Sequence, residues 1–529
     1  MRAAGAAAIL FVMAAAAVAA DNVCSIEGTI YNAATGEPLR KAVVTLRAAS
    51  GGRDQARGRA AISDAAGHYS ITGVDPGAYR LFAERTGFIR QELGAPRPGK
   101  SGTPILLAAN ENRKDADLRL TPQGVITGRV VDEDGDPAAL ASVTLLRTGY
   151  AQGRKQLMPG GRNVTANDQG EFRVFGLAPG RYYLMASYRP LSTEEAALSA
   201  QAYAPTFYPS AISADSAAPV EVTAGSALRG IDIRLQKMSA VQIRGRVLDV
   251  ATNEPVRGAI VMLSPRAGVI ATPAAERVVR VRGGAFEMDG ITPGSYVLSA
   301  HANREQQLSA RMLLEVGQSD VNDLTLALTP GAEIAGVIKM AGGTGELPRG
   351  LRVQLEPASE SGYPIAPVKQ DGSFRVQHVQ ADTYSVRVYG LPDTAYVQEI
   401  RFADAAVGES GLDFSRGFTP GELAITVALT AAHVDGTVLD DKGQPFAGAT
   451  VVIAADKGKA QTVRTDQSGR FAAGGLAPGE YRLWAFDDIE AGAWDDPEYM
   501  KPHETHAERI TVKDNDHPTV QLKLLAGRE

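Results

Sequence analysis

"GLAPGEYRLWA" at 475–485 nearly repeats "GLAPGRYYLMA" at 176–186, with weaker echoes in "VDPGAYRLFA" (74–83) and "ITPGSYVLSA" (291–300). A Pro-Gly turn leads into a strand in which Tyr481, Leu483 and Ala485 alternate with polar residues and so share one face. Working outward, the second copy starts "VITGRVVDEDGDPAALASVTLL" (125–146), passes "TANDQGEFRV" (165–174) and ends "ALRGIDIRL" (227–235). The last starts "AHVDGTVLDDKGQPFAGATVVIA" (432–454), passes "TDQSGRF" (465–471) and ends "HPTVQLKLL" (517–525). Related starts occur at 24–46, 241–263 and 332–355; in the fourth unit the turn reads "VQADTYSVRV" (379–388), without its Pro-Gly but with Tyr384.

Each segment has a physical reason. Strands ending in Asp-Gly or Lys-Gly use a residue that tolerates positive φ. The prolines that follow (Pro38, Pro137, Pro255, Pro445) suit a strand edge, because they cannot donate to a ladder. β-Branched runs such as "GATVVI" fit a pleated, half-buried surface. Each unit thus predicts about seven short strands in a small antiparallel sandwich. The repeat of roughly 90–115 residues is a domain length, not a solenoid period.

The expected architecture is all-β: a signal peptide at 1–20, then sandwiches at 24–122, 123–238, 239–331, 332–431 and 432–526. The second carries an aromatic insertion at 187–213, and the fourth is degenerate. A chain of 529 residues with 44% hydrophobic and 22% charged content is ordinary globular material, too long for one core. The opening run has Arg2, an apolar stretch from Ala3 to Ala20 and small residues at Val18-Ala19-Ala20, as a cleaved secretory signal requires. No other long apolar run follows, so no stable membrane span is expected after cleavage. A net charge of −6 without a basic block argues against a nucleic-acid partner. Cys24 is the single cysteine, which precludes an intramolecular disulfide. The residues before it, Asp21-Asn22-Val23, do not suit a lipid anchor.

The succession G-x-V-x-D-x-x-G-x-P, A-x-V-x-L, D-x-x-G-x-F and P-G-x-Y-x-L resembles the carboxypeptidase regulatory-like domain. That resemblance implies a transthyretin-like sandwich within the carbohydrate-binding-like fold. It covers nearly all of the mature chain, strongest in the second and fifth units. Residues 395–415 and 486–500 also resemble segments of multi-copy bacterial exported proteins of this type. Such sandwiches serve as spacers, binding modules and enzyme accessories, so the fold alone does not name the function.

Catalytic constellations are missing. None of the seven histidines has a Glu three residues on, so the zinc-ligand pair of a carboxypeptidase is absent. "HETH" (503–506) offers two histidines without a third ligand and reads as surface loop. "DEDGDP" (132–137) lacks the calcium-loop register and reads as a hairpin turn. The acidic stretch Asp487, Asp488, Glu490, Asp495, Asp496 and Glu498 reads as a solvated loop, with calcium as the alternative. No Ser elbow or phosphate loop appears. The first-strand segments "IEGTI", "ITGRV", "IRGRV", "IAGVI" and "VDGTV" contain no Lys, so the Lys–Asn isopeptide crosslink of related adhesin sandwiches is not expected. The chain therefore reads as a non-enzyme with no cofactor and no metal.

Two loops exceed what a seven-strand unit needs, and scaffolded loops carry binding. The first holds Tyr203, Phe207 and Tyr208; the second holds Trp484, Trp494 and Tyr499. Aromatic faces beside carboxylates suit sugar rings. The expectation is a secreted or periplasmic protein that binds polysaccharide or another glycan through these residues. The alternative is a structural spacer or interaction scaffold for envelope proteins, or an accessory to a separate peptidase or outer-membrane transporter. Exposed rings would favour binding, and rings buried at junctions would favour the scaffold.

Overall fold

A computed structural model describes residues 23–527, apart from 50–57, 152, 162, 190–200, 267–275, 304–306, 344–345, 359–362, 409, 457 and 459. The signal-like run at 1–20 and the 190–200 part of the aromatic insertion lie outside the described residues.

The first strand of the last unit, Ala432–Leu439, pairs antiparallel with Arg470–Leu476 and parallel with Thr519–Leu525. The same three-way arrangement surrounds Cys24–Asn32, Gly124–Val131, Val241–Asp249 and Ala332–Met340. The expected antiparallel sandwich therefore contains, in every unit, parallel pairing between its opening strand and late chain, in two short pieces in the first and second units. The facing sheet centres on Thr450–Ala455, flanked by Gln461–Arg464 and Gly479–Phe486. Its counterparts are Val43–Ala48, Ser142–Ala151, Ile260–Pro265 and Arg352–Pro357. The buried apolar residues form five large clusters, each drawn from one consecutive stretch: 24–120, 126–235, 241–328, 334–427 and 432–522.

Three repeated devices set the register of every unit. The glycine in the opening strand faces the aromatic that begins its antiparallel partner: Gly28–Tyr69, Gly128–Phe172, Gly245–Phe286, Gly336–Phe374 and Gly436–Phe471. In the last three, a Cβ on the glycine would stand 2.6, 2.3 and 2.4 Å from the ring. A Cβ at Gly128 would stand 2.0 Å from the carbonyl of Ile231. The missing side chain lets the ring and the following strand close over the backbone.

The second device is the corner at Pro-Gly-x-Tyr. The tyrosine hydroxyl reaches back to the carbonyl four residues earlier: Tyr79 to Asp75 at 2.9 Å, and Tyr182 to Ala178, Tyr296 to Thr292 and Tyr481 to Ala477, each at 2.8 Å. Tyr384 does the same to Gln380 at 3.1 Å, so the fourth unit keeps the corner without the Pro-Gly. A buried ring thereby acquires a partner for its polar end.

The third device is a β-bulge just before that corner, where two residues oppose one. It recurs as a register shift in all five units. Gly73, Gly176, Gly290 and Gly475 occupy it with φ of 68°, 78°, 67° and 74°. The fourth unit places His378 there, at φ 60°. The turn acids are local as well: Asp132 Oδ1 accepts from the backbone N–H groups of Asp134 and Asp136, at 3.0 and 2.8 Å. "DEDGDP" is thus a hairpin turn whose first carboxylate is engaged by its own backbone.

Candidate functional site

The aromatic loops turn inward. Phe207 is 6% exposed and packs with Leu146 and Met185 on the outer face of the second unit's facing sheet. Trp484 is 3% exposed, its indole N–H donating to the His503 carbonyl at 2.8 Å. The expectation of a surface platform is corrected for these two residues: both close small secondary cores. Large insertions bury apolar side chains of their own rather than leave them in water.

The other four expected residues are half-buried. Tyr203 packs at 5.2 Å from Tyr188, under the Lys237 ammonium, and donates to Glu133 at 2.9 Å. Desolvation and that carboxylate push the Tyr203 hydroxyl up to about 12. Tyr208 packs against the main core of the second unit. Trp494 and Tyr499 join Val452, Trp484, Phe486 and Met500, and Tyr150 of the second unit meets Tyr499 edge-on at 5.6 Å. The structure does not bring the two groups together into one surface.

The acidic stretch is not simply solvated. Glu490 accepts from Arg97 and Lys100 of the first unit, each at 3.0 Å, and lies 3.8 Å from Arg147 of the second. Arg97 also pairs with Asp488, and Arg464 donates to the Ser101 carbonyl at 2.6 Å. Asp496 caps the short helix Pro497–Met500 through the Glu498 N–H at 2.9 Å, and Asp487 accepts from Gly527 N–H at 2.8 Å. The carboxylates are thus dispersed among separate partners. Among the described residues no group of three or more His, Cys, Asp or Glu is placed to hold a metal ion. Burial raises the Glu490 pKa, but the three cations outweigh it and hold the carboxyl below its ordinary range. Three units therefore meet at one carboxylate. A close approach nearby reinforces the contact: a Cβ at Gly153 would come within 2.6 Å of the Asp495 carbonyl.

Further contacts link neighbours. Arg311 pairs with Asp382 at 3.0 Å between the third and fourth units. Asp514 of the fifth accepts from Thr430 at 2.6 Å and from Tyr396 of the fourth at 3.2 Å. The "HETH" histidines separate: His503 is buried against Phe486 at 5.1 Å, and His506 is exposed. Cys24 is buried, its thiol donating to the Ala108 carbonyl at 2.9 Å. No helix among the described residues is long and apolar enough to cross a membrane.

Sequence reading missed a difference between the outer faces of the facing sheets. In the first unit Arg90 lies 3.7 Å over Phe82, and Gln91–Glu92 pairs alongside; in the second and fifth, the insertions just described cover the face. Among the described residues the third and fourth units have no such cover. Ile260, Val278 and Leu313 stay exposed in the one, and Tyr363, Ile365 and Tyr389 in the other. The available signal was the length of chain after the corner tyrosine.

Comparison with known proteins agrees with the repeat. The profile of the carboxypeptidase regulatory-like domain matches residues 25–120, 125–236 and 433–524, more than half of the chain. No curated protein matches it. Among solved structures, a streptococcal ancillary pilin is similar at 13% identity and TM-score 0.19, covering 57% of this chain and 99% of the pilin. BcpA, the major pilin subunit of Bacillus cereus, is similar at 12% and TM-score 0.15, covering 58% and 100%. The Bacillus anthracis TIE protein is similar at 9% and TM-score 0.15, covering 97% and 76%. With three matched copies on its repeated sandwiches, this chain belongs to the carboxypeptidase regulatory-like domain family.

Proposed function

We propose that the protein is an exported, non-catalytic scaffold of the cell envelope, whose sandwiches are braced against one another to hold a fixed geometry. One observation carries this reading. The loop at 486–500, which would be free to take a ligand, is used between units, with Glu490 of the fifth joined to Arg97 and Lys100 of the first and facing Arg147 of the second. Partly buried charges held by several opposite partners fix orientation better than exposed pairs do.

Zero-length carbodiimide crosslinking, which joins a lysine to a carboxylate in contact, tests the proposal. On the purified mature chain and on intact cells, peptide mass spectrometry should find Lys100 joined to Glu490. In cells the chain should also be linked to other envelope proteins. Absence of the Lys100–Glu490 link, or a chain found only in the cytoplasmic fraction, would overturn the reading.

Glycan binding is the second reading. What favours it is not the loops but the two tyrosines exposed on one bare sheet face of the fourth unit.

A further inference from the structure

We propose that the outer face of the fourth unit's facing sheet, formed by Arg352–Pro357, Ile365–Pro367 and Thr383–Tyr389, binds an acidic polysaccharide of the uronate class. Strand register lays out this surface. Arg352 lies between Pro367 and Tyr389, and Gln354 lies between Ile365 and Arg387. Glu356 stands opposite Ser385, and Tyr363 lies two residues before the edge strand, just ahead of Pro364, whose carbonyl accepts from Leu355 N–H at 2.9 Å. With residues of one face about 7 Å apart along a strand and strands about 5 Å apart, Tyr363 and Tyr389 stand at opposite corners of a flat patch. A short run of sugar rings fits between them.

The geometry holds Tyr389 as a stacking surface. Its hydroxyl donates to Glu356 Oε1 at 3.3 Å, although Glu356 is paired with Ser385, four residues back along the strand. The ring therefore lies along the sheet instead of standing off it, and the residue is 45% exposed. Arg387 Nε pairs with the same carboxylate oxygen at 2.9 Å and fixes the acceptor. A ring pinned at its far end and open on one face suits the C–H face of a sugar, because little side-chain freedom is lost on binding.

Charge selects an acidic ligand. Arg352 is exposed with no ion-pair partner among the described residues, and Arg349 and Lys369 are exposed at the same end of the patch. Glu356, farther along the same face, is already paired with Arg387, and Lys369 faces Asp371, which leaves Arg352 and Arg349 as the cations open at this end although the whole chain carries a net charge of −6. A guanidinium meets a carboxylate through two parallel hydrogen bonds, so uronates are favoured over neutral sugars. The first, second and fifth units cannot offer the equivalent face, since their insertions cover it.

Affinity electrophoresis of the full mature chain in native gels tests this, with polygalacturonate as probe and dextran as neutral control. Polygalacturonate should retard the chain and dextran should not. Arg352→Gln and Tyr389→Ala should each weaken retardation by about tenfold, and Tyr389→Phe, which keeps the ring but loses its hydroxyl anchor, should weaken it less than Tyr389→Ala. Circular dichroism should show all variants folded, as expected for exposed positions. No retardation by polygalacturonate would overturn the proposal. Retardation unchanged in Arg352→Gln and Tyr389→Ala, or equal retardation by dextran, would overturn it too. Carbodiimide crosslinks in cells that join this face to a protein, with no polygalacturonate effect, would refute it in favour of a protein partner. None of these results depends on the Lys100–Glu490 link, so the two readings fail separately.

Discussion

Replacing His378 with glycine should stabilise the fourth unit. His378 occupies the left-handed bulge position at φ 60°, where the other four units use glycine. An L-residue there pays roughly 1–2 kcal/mol, because its Cβ crowds the following carbonyl. Glycine removes that cost but gives the unfolded chain more freedom, which returns roughly 0.5–1 kcal/mol. The side chain is exposed, so removing it sacrifices little packing. The net gain should be about 0.5–1 kcal/mol, or roughly a two- to fivefold rise in protection. Hydrogen–deuterium exchange on the full chain reads this locally, in peptides spanning 332–340 and 373–379, where a single global unfolding transition would not be interpretable. His378→Ala retains the strain and should leave protection near wild type, with His378→Asn between Ala and Gly. If Gly gave no more protection than Ala, backbone strain at the bulge would be excluded as the operative cost.

Other expectations follow from the same geometry. Tyr182→Phe or Tyr481→Phe should cost its unit about 1 kcal/mol, read by local exchange, since each loses a hydroxyl bond of 2.8 Å that holds the corner. Gly128→Ala should cost more than Gly176→Ala. The first would drive a Cβ to 2.0 Å from a backbone carbonyl, whereas the second meets nothing closer than 3.7 Å and pays only for φ. The junction at Glu490 should weaken in acid. Its carboxyl titrates below its unfolded value of about 4.3, so the stabilisation is complete above that pH and disappears as pH falls through the lowered folded value. Small-angle scattering should show expansion at low pH, and Glu490→Gln should expand the chain at neutral pH. The intact mass of the mature chain should equal the sequence mass; a deficit of one ammonia per unit would reveal isopeptide bonds.

What was legible in the sequence was local. Gly-x-Val opposite an aromatic, the Asp-x-x-Gly turn and Pro-Gly-x-Tyr each act within a few residues or across one adjacent ladder, so their spacing encodes them directly. The parallel pairing of the opening and late strands was not legible, because residues such as Asp435 and Thr519 meet only after the whole unit has folded. The partners of Glu490 were hidden for the same reason, Arg97 lying 393 residues away. An acidic loop looks alike in sequence whether water or a distant arginine neutralises it. The aromatic insertions misled in a related way: a ring-rich loop has the same composition whether it stands in solvent or lies down on a sheet. Phe207 and Trp484 lie down. The bare face of the fourth unit escaped notice because its signal is the lack of an insertion, and no residue announces that.

The parallel contact in each unit has a mechanical consequence. When an opening strand and a late strand run side by side in the same direction, tension on the chain pulls them past each other along their length. The hydrogen bonds between them are then loaded together, in shear, instead of parting one at a time like a zipper. The fifth unit offers five consecutive residue pairs to such a load, from Asp435–Thr519 to Leu439–Lys523. The second offers only two short pairs at each of two separated places, around Val125 and Val130. Under a stretching force the second unit should yield before the fifth.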